Sequence, residues 1–579
     1  MILLQLLLLL LLSLPPTYSS HLKINVTERY HTFDVTKNND KIGRVVQVVQ
    51  GRTSLMATPI FVNEDEVVET TVRNRMYSKS LTIHHHGLHQ HGTPWMDGVP
   101  GLSQTLIAPG SDMVYKFLAH PAGTHFYHTH VAQLGLRGPF IVRAKEDPHV
   151  SLYDSDENVV FLSDLSKSRD ESIWLAGLVS GALMSEEDPE SDLDWEDTVL
   201  LINGVVAPQV VLQMVPGVRP RLRLINGAFN WAVKLSIESH AFLILATDGK
   251  DVEPRSTSIL VLSPGERYDV VLLRTSVQAP AEPSGYAVRL RTRNGHQVTA
   301  RLQYGTTGSD NTVVKVDSLS DNHVNDIDLS YNTTLLRAHS TTPLMPSMPS
   351  RTMALRLGGN MKTYEWTIDG VAWSLDDLGI NTPLSLLQGV YSQKVRNVIK
   401  QVDLNEVVDI ELNNPTGMQH PFHLHGHKFW ILGSRSVDDA LIIQPVNPED
   451  RPAFKDTINV PPKRVVTIRV KFDNPGPWLF HCHTSFHLNR GMAVVFVVGN
   501  AAQQPIPPII GGNNDDEEKM HVQMITMFYV FSGLFLGIGM VSGYAISRLT
   551  RSRRSCFKGY TPVVHQAVES PTHGGGAAI

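Results

Sequence analysis

Twelve consecutive residues constrain this chain more than any other feature. His481-Cys482-His483-Thr484-Ser485-Phe486-His487-Leu488-Asn489-Arg490-Gly491-Met492 lies between two apolar runs, Trp478-Leu479-Phe480 and Ala493-Val494-Val495-Phe496-Val497-Val498. The pattern predicts a strand, a loop and a second strand. Neighbours on a strand point to opposite faces, so His481 and His483 look one way and Cys482 the other. A thiolate with His487 five residues on and Met492 ten residues on lacks only one imidazole of a blue-copper centre, which takes two His and one Cys in a plane with a weak axial Met. His481 and His483 remain free to hold metal on the opposite face. One short peptide would thus join two metal centres, with the sulfur in one and its covalent neighbours in the other.

Three further histidine clusters supply the partners. Ile83-His84-His85-His86-Gly87 puts His84 and His86 on one face of an extended chain, and His128-Thr129-His130 repeats that spacing. In His420-Pro421-Phe422-His423-Leu424-His425-Gly426-His427, His423 and His425 share a face, whereas His420, an odd number of residues away, points elsewhere. Parity therefore gives His420 to the cysteine's metal and the His423/His425 pair to the other centre. A single His-X-His pair is more often a surface or satisfied pair than a ligand pair. Four clusters of consistent parity around one cysteine are poorly explained that way.

The motifs HxHG, HxH, HxxHxH and HCHxxxHxxxxM resemble those of the multicopper oxidases, the family of laccases, ferroxidases and ascorbate oxidases, over residues 25–500. The resemblance implies four copper ions held by ten histidines, one cysteine and one methionine. Carried over position by position, His420, Cys482, His487 and Met492 match the type 1 copper, and His84 and His423 the type 2 copper. His86, His128 and His483 match one type 3 copper, and His130, His425 and His481 the other. Asp97, in Trp95-Met96-Asp97-Gly98, matches an acid that the family places beside the type 2 copper, where it would deliver protons or bond to water. The bland alternative is a turn-forming Asp before Gly. Many relatives carry a second acid three residues after the cysteine, where this chain has Ser485. His85, His89, His91, His125 and His427 match no ligand position, and packing or hydrogen bonding behind the ligands is expected of them.

Short alternating strands with Gly/Pro turns, such as Asp112-Met113-Val114-Tyr115-Lys116-Phe117 and Arg221-Leu222-Arg223-Leu224-Ile225-Asn226, are the mark of β-sandwiches. With the resemblance, the expected fold is all-β: three cupredoxin-like Greek-key β-sandwich domains, plus one C-terminal transmembrane α-helix. The domains are expected at 21–150, 151–310 and 350–500, with a linker at 311–349 and copper ligands in the first and third only. Residues 1–20, dominated by a leucine run, read as a signal peptide. Asn25 and Asn332 begin glycosylation sequons. After a stalk at 501–521, residues 522–546 carry no charge and are long enough to span a bilayer. Arg548, Arg551, Arg553, Arg554 and Lys558 then mark 547–579 as a cytosolic tail. The expected localisation is a single-pass type I protein of the cell membrane or endomembranes, its copper domains extracellular or luminal. Cys556 is a candidate for lipidation, and Tyr560-Thr561-Pro562-Val563 resembles a sorting signal, so adaptor binding at the tail is expected.

The chain has two cysteines, Cys482 and Cys556, so an ectodomain ending before the span has no disulfide although its compartment permits them. Five bases against the single acid Glu569 put residues 548–579 at +4, so the −6 of the whole chain leaves −10 on residues 1–547. That balance argues against nucleic acid as a partner. Residues 186–197 hold eight carboxylates, a solvated loop or, alternatively, a cation funnel. Met345, Met348 and Met353, interleaved with prolines, suggest a linker packed on the surface, with soft Cu(I) contacts as the alternative.

The expected activity is that of a laccase-like oxidase. Four one-electron oxidations of a diphenol or aromatic amine would reduce O2 to two H2O, electrons passing through Cys482 to His481 and His483. The alternative is a membrane-anchored oxidase of Fe(II) or Cu(I). Iron oxidases of fungal plasma membranes share the expected topology but seat iron with carboxylates near the type 1 histidines. One such carboxylate stands four residues before the first histidine of HxxHxH. Here that residue is Thr416, and Asn413-Asn414-Pro415-Thr416-Gly417-Met418-Gln419 contains no acid to attract a hard divalent cation. His420 or His487 is expected to present its edge to the substrate ring. A dioxygen-binding or copper-storage protein would not need the thiolate, and a single-copper electron carrier would not need the other clusters.

Overall fold

The computed structural model describes residues 19–34, 39–48, 56–75, 80–130, 136–166, 198–275, 285–292, 297–305, 336–360, 365–373, 398–439 and 447–505. The leucine run of the expected signal, the acidic stretch 186–197, Asn332, the span 522–546 and the tail with Cys556 and Tyr560 lie outside the described residues, as do 311–335 of the linker and 506–521 of the stalk. Among the described residues no helix is long and apolar enough to cross a membrane.

Six sheets fall into pairs by chain region. Strands between Ser19 and Arg143 build two four-stranded sheets, those between Ser155 and Tyr304 a seven- and a five-stranded sheet, and those between Arg351 and Val498 a six- and a five-stranded sheet. Each pair is a β-sandwich, as three cupredoxin domains require. In the last sheet the strands run in the order Ile399–Val402, Ala493–Val498, Gly476–Cys482, His420–Leu424, Thr457–Val460. Gly476–Cys482 and His420–Leu424, distant in sequence, pair there and bring two metal-ligand motifs side by side.

Burial follows the residue pattern. The strand Asp112–Leu118 alternates, with Tyr115 and Phe117 inward and Asp112, Lys116 and Leu118 in water. Gly476–Cys482 and Ala493–Val498 are buried at every position, as continuous apolar runs should be when both faces are covered. Trp478, Phe480, Val494 and Phe496 join Val408, Ile410, Val466, Ile468 and Val470 in one core. Each such side chain contributes about 1.5–3 kcal/mol by leaving water, enough to fix the strands that carry the polar ligands.

Two expectations need correction. The loop after Cys482 contains a one-turn α-helix, Ser485–Asn489, in which the His487 and Leu488 N–H groups donate to the Thr484 carbonyl at 3.0 and 3.1 Å. Five residues are too few to show a helical period in sequence. The methionines between 345 and 353 do not share one surface environment: Met345 is 3% exposed and Met348 76% exposed.

The middle sandwich, which holds no ligand motif, braces the other two. Arg267, fully buried, donates through Nε to the Thr124 carbonyl at 3.0 Å and through Nη2 to Asp456 Oδ2 at 2.7 Å. One guanidinium therefore joins all three chain regions.

Candidate metal centres

Strand register sorts the histidines. His84 stands directly opposite His128, and His86 opposite Phe126, where Ile83–His86 pairs with Gly123–Thr129. Opposed residues share a face, so His84, His86 and His128 converge while His85 turns into the core against Phe117 and Phe140. In the third sandwich His423 opposes His481 and Phe422 opposes Cys482. His420, two residues before Phe422, thus shares the cysteine's face, and His423 and His481 take the other.

The histidines that converge on the other side form one buried cluster. Ring centroids lie 5.5 Å apart for His84–His128, 4.9 Å for His86–His483, 5.2 Å for His130–His425 and 5.1 Å for His425–His481. Burial, first of all, lowers the imidazoles of His86, His128, His130, His425 and His483 well below the ordinary histidine value, and that of His481 to about 3. They are neutral, the form that binds metal.

Their outer nitrogens are fixed by protein oxygens. His84 Nδ1 lies 2.7 Å from the Asp97 carbonyl, His128 Nδ1 2.9 Å from that of Thr129, His423 Nδ1 3.0 Å from that of Asp456, and His481 Nδ1 2.9 Å from that of Cys482. His425 Nδ1 lies 2.8 Å from Asp97 Oδ2, and His86 Nε2 3.1 Å from Thr457 Oγ1. The other nitrogens of His84, His86, His128 and His423, together with Nε2 of His130 and both nitrogens of His483, are buried without a hydrogen-bond partner among the described residues. Each such atom costs about 1–3 kcal/mol if nothing meets it. A set of inward lone pairs with outward N–H groups held by carbonyls and carboxylates is what metal-binding histidines show, and imidazole suits copper.

On the opposite face Cys482 Sγ lies 3.3 Å from His487 Nδ1 and 3.8 Å from His420 Nδ1, and the two imidazole nitrogens are 3.1 Å apart. The helical turn Ser485–Asn489 aims His487 back at the sulfur. Met492 is fully buried, its N–H donating to the His487 carbonyl and its carbonyl accepting from Cys482 N–H, both at 3.0 Å. Burial lowers His487 to about 3. Neither imidazole presents an edge to solvent, contrary to expectation: His420 is 0% and His487 1% exposed. The Thr416 hydroxyl lies 3.0 Å from His420 Nε2, and the Trp366 ring packs 4.2 Å from that of His487.

Two carboxylates stand behind the cluster. Burial pushes the Asp97 carboxyl up, but His425 and His84 outweigh it and hold the group well below the usual carboxylate range. Gly98, at φ +83°, lets this turn press against the strand of His84, because a Cβ there would meet the Ile83 carbonyl oxygen at 2.0 Å. Asp456 went unrecognised in the sequence. Its carboxylate, ionised against burial by Arg267 and Lys428, lies 3.4 Å from His86 Nε2 and 3.6 Å from His423 Nδ1. Nothing local in Phe454-Lys455-Asp456-Thr457 marks it, since its partners are Arg267 and Lys428.

A pocket lined by Phe126, His128, His130, Phe229, His481 and His483 reaches the cluster, with Ser485 on its wall. Among the histidines expected to pack, His125 Nε2 lies 2.8 Å from the Pro121 carbonyl, and His427 Nε2 accepts from Asn474 N–H at 3.3 Å. His89 and His91 instead draw together with His120, which the sequence had not singled out.

Three sandwiches holding a thiolate centre one residue from a buried histidine cluster define a copper oxidase that uses dioxygen. Multicopper oxidase family profiles match residues 34–147, 157–308 and 348–502. Laccase-2 of Pleurotus ostreatus is 30% identical over 442 residues, 72% of this chain and 76% of the relative. The iron transport multicopper oxidase FET3 of Saccharomyces cerevisiae is 28% identical over 491 residues, 76% of this chain and 70% of the relative. The crystal structure of Fet3p, a multicopper oxidase that functions in iron import, superposes with a TM-score of 0.65 at 24% identity, covering 83% of this chain and 90% of that one. The chain belongs to the multicopper oxidase family. It is a copper-dependent oxidoreductase of three cupredoxin domains, its cofactor four copper ions in type 1 and trinuclear sites, its acceptor O2 and its donor a reducing substrate.

Proposed function

We propose that the chain is a laccase-like oxidase of diphenols or aromatic amines, anchored by residues 522–546 with its copper domains extracellular or luminal and glycosylated at Asn25 and Asn332. In this reading His420, Cys482, His487 and Met492 hold the type 1 copper, and His84 and His423 the type 2 copper. His86, His128 and His483 hold one type 3 copper, and His130, His425 and His481 the other. Bound copper supplies one-electron transfer and, at the trinuclear site, the reduction of O2 with four electrons and four protons to two H2O.

The chain's own residues do the rest. Cys482 places its sulfur at one centre and its covalent neighbours His481 and His483 at the other, which gives a bonded path for each electron. Asp97 holds the outer nitrogens of His84 and His425 and is the acid nearest the cluster for passing protons inward. The pocket beside His128, His130, His481 and His483 is the route for O2.

The observation that favours an organic reductant is Thr416 on His420. Among the described residues the type 1 histidines meet the Thr416 hydroxyl and the Trp366 indole, groups that offer no anionic oxygen to Fe(II). The similarity to an iron transport oxidase supports the competing reading. The test is kcat/KM for hydroquinone or catechol against Fe(II) under one set of conditions. The diphenol should lead. An iron preference of tenfold or more, about 1.4 kcal/mol in transition-state terms, would overturn the laccase reading.

A further inference from the structure

Apart from the copper ligands, the described residues hold a further convergent imidazole set. His89, His91 and His120 each offer a ring nitrogen, and the three atoms lie within 4.8 Å of one another. Two imidazoles bound to one ion at about 2.0–2.1 Å hold their ring centroids roughly 5.2–5.5 Å apart at tetrahedral or trigonal angles. The observed separations are 5.3 Å for His89–His91 and 6.0 Å for both His89–His120 and His91–His120. The first already fits, and the other two need closing by about half an ångström at that geometry. Because His91 is exposed and His120 half-buried, their side chains have room to close.

The scaffold under these rings is built. His89 N–H donates to the His120 carbonyl at 3.0 Å, which ties together the two segments that carry the ligands. The Asn474 side-chain amide donates to the His89 carbonyl at 2.6 Å and to that of Gly426 at 3.0 Å. His89 Nε2 is buried with no hydrogen-bond partner. Behind His120, Nδ1 lies 3.3 Å from Asp65 Oδ1 and 3.7 Å from Glu64 Oε1. The negative charge there favours a cation held by the neighbouring imidazoles.

We infer that His89, His91 and His120 form a peripheral site for one divalent cation of the borderline class, Zn2+ or Cu2+, separate from the four coppers. Three imidazoles and no thiolate select that class over Cu(I) and over oxygen-seeking Ca2+ or Mg2+. A fourth position remains for water.

The experiment uses the full, copper-loaded chain, washed with a mild chelator and dialysed against Zn2+ over a range of concentrations. Zinc and copper are counted per chain, and the red absorption of the thiolate centre is followed. One zinc should bind without displacing copper or colour. His91→Gln and His120→Gln should each weaken that binding tenfold or more while copper content stays at the wild-type value. His339→Gln, at the separate His149–His339 pair whose ring centroids lie 5.2 Å apart, should leave zinc binding unchanged. Failure of the wild type to retain zinc would overturn the site, as would equal retention by His91→Gln and His120→Gln or equal weakening by His339→Gln.

Discussion

Thr416 Oγ1 sits 3.0 Å from His420 Nε2, on the edge of the imidazole farthest from the cysteine sulfur. A hydroxyl there accepts the ring N–H without adding charge. A carboxylate at the same place would raise the affinity for a hard divalent cation. Thr416→Glu should therefore increase kcat/KM for Fe(II) and lower it for hydroquinone, shifting the ratio tenfold or more toward iron. Steady-state rates with both donors read this directly. An unchanged ratio would mean that the substrate approaches elsewhere.

Asp97 bridges His84 and His425, through its carbonyl and its carboxylate. Asp97→Asn keeps the size and the carbonyl bond but removes the negative charge and the means to carry a proton. Turnover should fall by about 10²–10⁴-fold, the usual worth of a placed acid–base group. Reduction of the type 1 centre by substrate, followed as bleaching of its red absorption without O2, should stay within a few-fold of wild type. Equal loss in both measurements would make Asp97 a structural residue.

The grouping of the histidines was legible in sequence because strand geometry is strictly periodic. Parity alone separated His420 from His423 and His425, and the register opposing Phe422 to Cys482 and His423 to His481 sorts them the same way. What sequence could not show was contact between residues on separate segments of the chain. Asp456 earns its place beside His86 only through Arg267 and Lys428, and the gathering of His89, His91 and His120 needs two segments tied by one backbone bond. Trp366 over His487 is a third case. Each depends on tertiary packing, which leaves no local period.

Asp456 is itself testable. Its carboxylate meets Arg267 at 2.7 Å and also Lys428, and burial, with Arg267 beside it, lowers the Lys428 ammonium to about 8 even against Asp456 and Asp248. Asp456→Asn would leave two buried cations without their anion. Breaking such a set by removing one partner costs about 3–5 kcal/mol. The thermal midpoint for loss of the red colour should drop well below that of wild type. Asp248 also reaches both, its Oδ1 3.5 Å from Arg267 Nη1 and its carbonyl accepting from Lys428 Nζ at 2.6 Å, so a midpoint unchanged within error would mean that Asp248 alone compensates both cations.

Cys482 Sγ lies 3.8 Å from His420 Nδ1 and 3.3 Å from His487 Nδ1. Cys482→Ser should abolish the red absorption and oxidase turnover, while copper bound by the histidine cluster largely remains. Elemental analysis would show about one copper fewer per chain, as a site of borderline or soft character loses its thiolate. A variant that keeps its colour or its turnover would refute the bonded path through this residue.

Residues 522–546 carry no Asp, Glu, Lys or Arg, and five basic residues follow within 548–558. An apolar run of this length is long enough for about 30 Å of hydrocarbon, and a basic cluster after it would keep its side in the cytosol. Protease added to intact cells should therefore remove the copper domains and spare an epitope fused after Ile579. Detergent should expose the epitope to the same protease. Loss of the epitope from intact cells would reverse the orientation. Release of the whole chain by high salt without detergent would show that the segment does not span.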